Sequence, residues 1–471
     1  MIPRASKLKP SRPVVPENRL LEGWLCALII AGCVVLHFQN LYNAFGLPIE
    51  AALSLVSFAT PVSGMLFLSA AQVLPDAPGS PVSVSEMALV GFFLGQLLRG
   101  KVMDVFTAGR PLWLAALPFY LWYSGLNFLR QDYRAWLLVL FAILTGCVAA
   151  ALVRQSGNRL PACLVAFAAG QGLALCLFWI VKLHLGAPTQ AFDVEIYGDS
   201  TADGMRIGTA RGNANMLGPA VALAGIGAVG WFISRSNQGA KAFLIVSACL
   251  AALIPPLIGS GCRGAMSALL LGVVFLMVFS LLAGRALASL PLVLAVAGSA
   301  LIIIFGWHKL GLDASWQEMH DRQETEAANT GAGLTAGRTL EWTAAWNAII
   351  ASPIMGGGEI KTLSYQGHED LWASHSTYLD AGLAGGFPGM GMFIWFILKP
   401  IFELWRRIKN LEVVYLLAVY LVAIVAIAST SAMQLKHFWM LWGMAGTCFL
   451  PAVAAVKARV RPGLRTPPKP A

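Results

Sequence analysis

Charge is scarce in this chain. Only 12% of its 471 residues are Asp, Glu, Lys or Arg, about half the share of roughly 25% found in a soluble globular domain. Hydrophobic residues make up 57% and mean hydropathy is +0.69, which together with long apolar runs excludes a soluble fold and predicts a polytopic membrane protein. Period-two alternation over about ten residues is missing too, so a lipid-facing β-barrel is excluded, and helices remain as the way to satisfy backbone groups in hydrocarbon. There is no Walker loop and no dinucleotide fingerprint, which argues against a nucleotide donor. The eight cysteines, Cys26, Cys33, Cys147, Cys163, Cys176, Cys249, Cys262 and Cys448, lack metal-ligand spacing. Nearly all of them fall inside apolar runs, as small packing residues do. "GDSTAD", with Asp199 and Asp203, and "HED" at 368–370 have no metal spacing either and read as solvated loop. The net charge of +10 follows loop topology instead of forming a patch, so no nucleic-acid partner is expected.

What is present is a series of apolar stretches, near 24–43, 51–75, 83–98, 112–129, 134–153, 160–184, 214–234, 241–260, 264–283, 289–308, 376–398, 413–431 and 437–456. Cations gather at the N-terminus, at 99–110, 154–159 and 235–241, at Arg285, at 399–409 and in the tail. The positive-inside rule then puts both ends of the chain in the cytoplasm. That requires an even number of crossings. The run 51–75, interrupted by "TPVSG", is taken as the one that does not cross, which leaves about 12 transmembrane helices. The expected organisation is a basic cytoplasmic leader at 1–22, a transmembrane bundle at 23–308 with an outward loop at 185–213, a large outward loop at 309–375, C-terminal transmembrane helices at 376–456 and a cytoplasmic tail at 457–471.

The 309–375 loop is too long to be a simple connector and carries nine acids against four basic residues. Inside it "GRTLEWTAAWNAIIASPIMGGG" predicts an amphipathic helix. Trp342, Ala345, Trp346 and Ile349 recur at helical spacing, and Pro353 with Gly356–Gly358 ends it. Its tryptophans suit a membrane interface; packing of a loop helix on the bundle is the other reading.

Three cations break the topological rule. In "IGTARGNANMLGP", "GSGCRGAMSALLL" and "TAGRTLEWTAAW", Arg211, Arg263 and Arg338 each stand at the start of a helix on the outward side. Each opposes the positive end of a helix dipole, at about 0.3–1 kcal/mol. A single such arginine snorkels to lipid phosphate; three suggest a shared anion. Helix N-termini offer unpaired N–H groups, arginine adds a planar fork matched to phosphate oxygens, and the adjoining Gly212, Gly264 and Gly337 permit close backbone approach. Asn213 and Asn215 add amide donors, and Arg206 is a further candidate for the set.

His375, in "LWASHSTYLDAG", closes the long loop on the same face. Beside it Thr377 and Asp380 have capping-box spacing. By itself His375 reads as a wet interfacial residue, but imidazole suits proton transfer at neutral pH. A diphosphate-sized anion site next to a general base points to a lipid-linked diphosphate substrate.

In their order and spacing "GTARGNANMLGPA", "GSGCRGA", "GRTLEWTAAWNAIIASPIMGGG" and "HSTYLDAGLAGGFPGMGMFIWFIL" resemble the O-antigen ligase and polymerase superfamily of bacterial inner membranes. The resemblance covers roughly residues 205–400; the N-terminal half is similar only in hydropathy. Within the superfamily the chain looks most like the O-antigen ligases of lipopolysaccharide maturation. The resemblance implies an all-α, GT-C-like, multi-pass inner-membrane fold with a long periplasmic loop and an active site facing the periplasm. It implies a metal-independent glycosyltransferase without cofactor, moving a glycan from undecaprenyl diphosphate to a sugar hydroxyl of lipid A–core. The implied partners are the lipid-linked donor, the lipid A–core acceptor and membrane lipids. The family's essential arginines and histidine map onto Arg263, Arg338 and His375. Arg211 fits less firmly, since some ligases lack arginine there, and Ser376 stands where the family often has Asn. The alternatives are an O-antigen polymerase and a protein O-oligosaccharyltransferase, whose chains often add a periplasmic C-terminal region where this one has a short basic tail. More remote is a flippase or transporter, which calls for polar residues or broken helices in mid-membrane that these runs almost lack.

Overall fold

The computed structural model describes residues 61–72, 84–157, 160–185, 263–282, 338–357, 362–365, 368–372, 374–428 and 436–448, with a few isolated positions. The leader at 1–22, the tail at 457–471 and the loop residues Arg206, Arg211, Asn213 and Asn215 lie outside the described residues. Those described form helices α1 (Pro61–Ala70), α2 (Val84–Leu98), α3 (Val102–Leu129), α4 (Tyr133–Gln155), α5 (Leu160–Leu185), α6 (Arg263–Leu282) and α7 (Arg338–Ala351). A hairpin follows, β1 (Thr362–Tyr365) and β2 (His368–Trp372), and then α8 (Thr377–Trp405), α9 (Leu411–Ile427) and α10 (Lys436–Thr447). The architecture is helical, as composition predicts; the antiparallel hairpin, with Tyr365 opposite His368, is confined to the long loop and had no signal in the apolar pattern.

Among the described residues, Ala135–Gln155, Gly264–Leu282 and Thr377–Trp405 are long and apolar enough to cross a membrane. Shorter apolar helices occur at Pro61–Ala70, Ser85–Leu98, Ala162–Ala174 and Val413–Ile427. Most ends lie close to the apolar boundaries. α3 departs furthest, starting at Val102 although the apolar run begins near 112. Pro111 and Pro118 lie inside it, and the Trp113 indole donates to the Phe106 carbonyl at 3.0 Å across the turn that Pro111 disturbs. Asp132 caps α4, its carboxylate accepting the Ala135 N–H at 3.2 Å.

Packing fixes the relative directions of the spans around the site. Phe119 of α3 meets Phe393 of α8 at 5.1 Å between ring centroids, and further along α3 Trp122 donates to the Gly385 carbonyl at 2.8 Å. Sequence number rises on one helix as it falls on the other, so α3 and α8 are antiparallel. The same holds for α8 and α9, joined by Tyr378 to the Ile424 carbonyl (3.1 Å) and Tyr420 to the Ile397 carbonyl (2.9 Å). α6 touches α8 where both end, Phe279 edge-on to Trp405 at 6.0 Å. Both are long and apolar enough to cross a membrane, so with their ends together they run in the same direction.

Small residues and aromatics divide the rest of the core. Phe396, Trp439 and Trp442 form a triangle of rings with centroids 4.9–5.1 Å apart. Gly146 of α4 and Gly443 of α10 bring the two backbones so close that a methyl group on Gly443 would strike the Gly146 carbonyl, the small-residue contact that membrane helices use. At the start of α10, the buried Lys436 ammonium donates to Ser85 Oγ (2.8 Å) and to Glu86 Oε1 (3.1 Å), tying α10 to the start of α2. Replacing Gly443 by Val should overpack this contact and destabilise the bundle by about 1–3 kcal/mol. Thermal unfolding of the detergent-solubilised protein measures it; an unchanged Tm would mean that α4 and α10 do not approach this closely.

Candidate functional site

The site is built where α7 and α8 begin. His375 occupies the tip of the turn before α8 at φ 48°, the left-handed region that costs a non-glycine residue about 1–3 kcal/mol. Ser374 holds this turn closed. Its hydroxyl accepts the Ser376 N–H at 3.1 Å and donates to the Asp380 carboxylate at 2.6 Å. The sequence suggests a capping box at Thr377 and Asp380. Instead Ser376, extended at φ −143°, is the N-cap residue, and the Asp380 carboxylate is engaged by Ser374.

α7 brings its own residues to this turn by packing along the first segment of α8. Ala344, Ala345 and Ile349 are buried with Leu383, and Leu379 packs against them. The Ile349 side chain lies over Gly382, where a methyl group would sit 2.6 Å from it. Towards lower numbers on both helices, Glu341 in the first turn of α7 reaches His375, Nε2 to Oε1 3.8 Å. Numbers rise together along the two helices, so they are parallel and present their N-termini side by side.

The amphipathic reading of α7 needs one correction. Ala345 and Ile349 are buried, but Trp346 faces outward, 42% exposed, edge-on to Phe387 at 5.6 Å. Ile350, Ile354 and Met355 are exposed beside it. The helix buries a face of small residues because its neighbour is close. α8 also departs from expectation. Its apolar run is not continuous helix: Gly386 has φ 65° and ψ −165°, a break nine residues after the start at Thr377, followed by Pro388.

Electrostatics at the joint are unusual for a surface loop. Burial pushes the Glu341 carboxyl up to about 7, against the opposing pull of the Arg338 guanidinium one turn earlier. Glu341 Oε2 is buried without a hydrogen-bond partner among the described residues. Glu341 is therefore a carboxyl able to take up and release a proton near neutrality, one turn from the Arg338 guanidinium and 3.8 Å from the His375 imidazole.

Of the residues singled out in the sequence, Arg338 is the first residue of α7 and half-buried, and His375 lies beside its first turn. Arg263 is the first residue of α6 and Gly264 the second; because α6 runs parallel to α8, that helix start points to the same end of the bundle. The Arg263 side chain, like Arg206, Arg211, Asn213 and Asn215, lies outside the described residues. Glu341 was missed by sequence reasoning, counted only among the loop's acids. The signal was present in "RTLE", which puts an acid on the turn after the arginine, at the start of a helix.

A helical membrane protein that gathers helix N-termini, a guanidinium, an imidazole and a carboxyl near neutrality at one end has the parts to bind an anion and move a proton beside it. Residues 248–394, about a third of the chain, match the family model described as O-Antigen ligase (Wzy_C). On this match the C-terminal half of the chain is similar to the O-antigen ligase family over those residues. The matched stretch contains Arg263, Arg338, Glu341 and His375, and begins after Arg206, Arg211, Asn213 and Asn215. The chain has no match among curated proteins.

The raised Glu341 value carries a stability consequence. Between the ordinary carboxylate value of 4.5 and about 7 the unfolded chain has lost this proton while the folded one keeps it, so folding stability falls as pH rises through that window. Glu341→Gln removes the term. Thermal unfolding at pH 5, 6, 7 and 8 should show wild type losing stability relative to the variant up to about pH 7 and running parallel above it. Parallel curves throughout would show that Glu341 titrates normally.

Proposed function

We propose that this protein is an O-antigen ligase, transferring a glycan from undecaprenyl diphosphate to a sugar hydroxyl of lipid A–core on the periplasmic face of the inner membrane. The family match supports a glycosyltransferase-like enzyme acting on O-antigen, of ligase or polymerase type, in a membrane. The observation that carries the finer reading is the His375–Glu341 contact beside Arg338, at the shared start of α7 and α8.

In the proposed reaction the acceptor hydroxyl oxygen attacks the anomeric carbon of the donor glycan. A carbon–oxygen bond forms there as the bond from that carbon to the diphosphate oxygen breaks, and the electron pair leaves with undecaprenyl diphosphate. His375 takes the hydroxyl proton, a contribution worth about 10²–10⁴-fold. Arg338 and Arg263, with Arg211 and Arg206, hold the diphosphate, and Asn213, Asn215 and the Gly264 backbone line the same anion site. Charge on the leaving group is then met by fixed donors, the kind of electrostatic help that usually dominates acyl and phosphoryl sites. Glu341 steadies the imidazolium formed during transfer. The scheme needs the about 12 spans, GT-C-like arrangement and periplasmic loop expected from the sequence.

Purified protein, supplied with undecaprenyl-diphosphate-linked glycan and rough lipopolysaccharide, should produce capped lipopolysaccharide and release undecaprenyl diphosphate. Extension of one lipid-linked glycan by another, without capping, would replace the ligase reading by the polymerase one. His375→Ala should lower transfer by about 10²–10⁴-fold with the fold intact; near-normal capping would remove the base assignment. Arg338→Lys keeps the charge but loses the fork, and a loss of about 10²–10³ in kcat is expected. Full activity in that variant would reduce Arg338 to a solvated cation. Because the Glu341 carboxylate lies 3.8 Å from the His375 imidazole and favours its protonated form, Glu341→Gln should move the acid limb of the kcat/KM profile to lower pH, an outcome that a purely structural carboxyl would not give.

A further inference from the structure

The break at Gly386 is held from a part of the chain that the family match does not reach. Arg130, the residue that ends α3, sends its guanidinium to both sides of the joint between α7 and α8. Nη1 donates to the Ala384 carbonyl of α8 at 2.8 Å; Nη2 donates to the Met355 carbonyl at 2.6 Å and the Gly356 carbonyl at 3.0 Å, in the turn that leaves α7. Trp122, two turns earlier on α3, donates to the Gly385 carbonyl at 2.8 Å. The Phe387 N–H, next to the break, donates to the Pro353 carbonyl at 2.8 Å.

The backbones at this joint leave no room for adjustment. Gly356 has φ 70° and is buried against α8, where a Cβ would strike the Leu383 carbonyl. A Cβ on Gly386 would come within 2.5 Å of the Pro353 and Ile354 carbonyls. Both positions need glycine for conformation and for space. The turn after α7 is thereby locked to the break in α8 at one end of the parallel pair, and Glu341 meets His375 at the other end. A slip of one residue between the helices would shift Glu341 by about 1.5 Å along the axis.

We propose that Arg130 is a positioning residue for the reaction: its three carbonyl contacts set the register of α7 on α8, and through it the alignment of Glu341 and Arg338 with His375. The catalytic part of this inference rests on the ligase reading; the register part does not. A guanidinium suits the task because its rigid fork offers several donors in one plane, whereas an ammonium offers a point charge on a flexible stem.

The test separates the two parts. In a background with the native cysteines replaced, Trp346→Cys with Phe387→Cys places thiols on the two helices where the rings now meet. A short bis-methanethiosulfonate reagent in native membranes then reports their register without any substrate. Arg130→Ala should lower the cross-linking yield and bring kcat down by about tenfold or more, because a misplacement near 1 Å is enough for such losses. KM for both substrates should stay near wild type, and the acid limb of the pH profile should shift towards that of Glu341→Gln. Arg130→Lys should fall between the two on every readout, and it serves as the test should the alanine variant fail to accumulate in the membrane. Wild-type cross-linking together with an unshifted pH profile in these variants would overturn the proposal. A fall in cross-linking, in a protein whose wild type transfers no glycan, would leave the clamp standing and sink the ligase reading.

Discussion

A membrane helix cannot be interrupted without partners for the backbone groups it releases. In hydrocarbon each unsatisfied group costs on the order of a few kcal/mol, and the geometry around His375 follows from how α8 meets that demand at Gly386. Pro388 brings no N–H to the break. The Ala384 and Gly385 carbonyls are taken by Arg130 and Trp122 of α3, and the Phe387 amide by the Pro353 carbonyl. Satisfying the break thus recruits the exit turn of α7, and once that turn is docked α7 must lie along the first segment of α8. The small residues Ala344, Ala345 and Gly382 let it lie close. The approach of Glu341 to His375 is the far end of the same arrangement.

Two local costs are concentrated at that end. His375 is held at a positive φ, and Glu341 is buried enough to move its titration towards neutrality. Neither serves packing: the apolar contact between α7 and α8 is made by Ala344, Ala345, Ile349 and Leu383. Strain and a desolvated carboxyl next to one another mark a place kept for chemistry. The strain also has a visible restraint, the Ser374 hydroxyl bridging Ser376 and Asp380 around the imidazole. A free loop histidine would need no such bracket.

Much of the helical framework was legible in the amino-acid order because it depends on long apolar runs, which survive without knowledge of neighbours. α4, α6 and α7 begin and end within a few residues of where hydropathy, caps and the Pro353–Gly356 stop put them. His375 and Arg338 stood out for a related reason, since a polar group where topology disfavours it needs no structure to be noticed. The break at Gly386 was not legible. "LAGGFPG" keeps full hydropathy across it, and the side-chain donors that make a break tolerable, Trp122 and Arg130, come from more than two hundred and fifty positions away in sequence. Glu341 was hidden for the opposite reason. In a loop with nine acids one more carboxylate carries no signal, and only burial beside His375 distinguishes it. The early start of α3 and the β1–β2 hairpin likewise depend on tertiary contacts that periodicity does not encode.

The same contrast bears on how the chain divides its work. Residues 248–394 carry the family pattern and hold His375, Glu341, Arg338 and Arg263. The match does not reach the first half, yet α3 supplies Trp122 and Arg130 to the joint. A backbone carbonyl can be satisfied by any suitably placed donor, so the requirement fixes the place of a donor and not its position in a motif. Family resemblance is therefore expected to fade in the helices that brace a broken span while persisting in the helix starts that build the candidate site. By that reasoning α3 belongs to the working part of the protein, although its sequence alone marks it as one more apolar run.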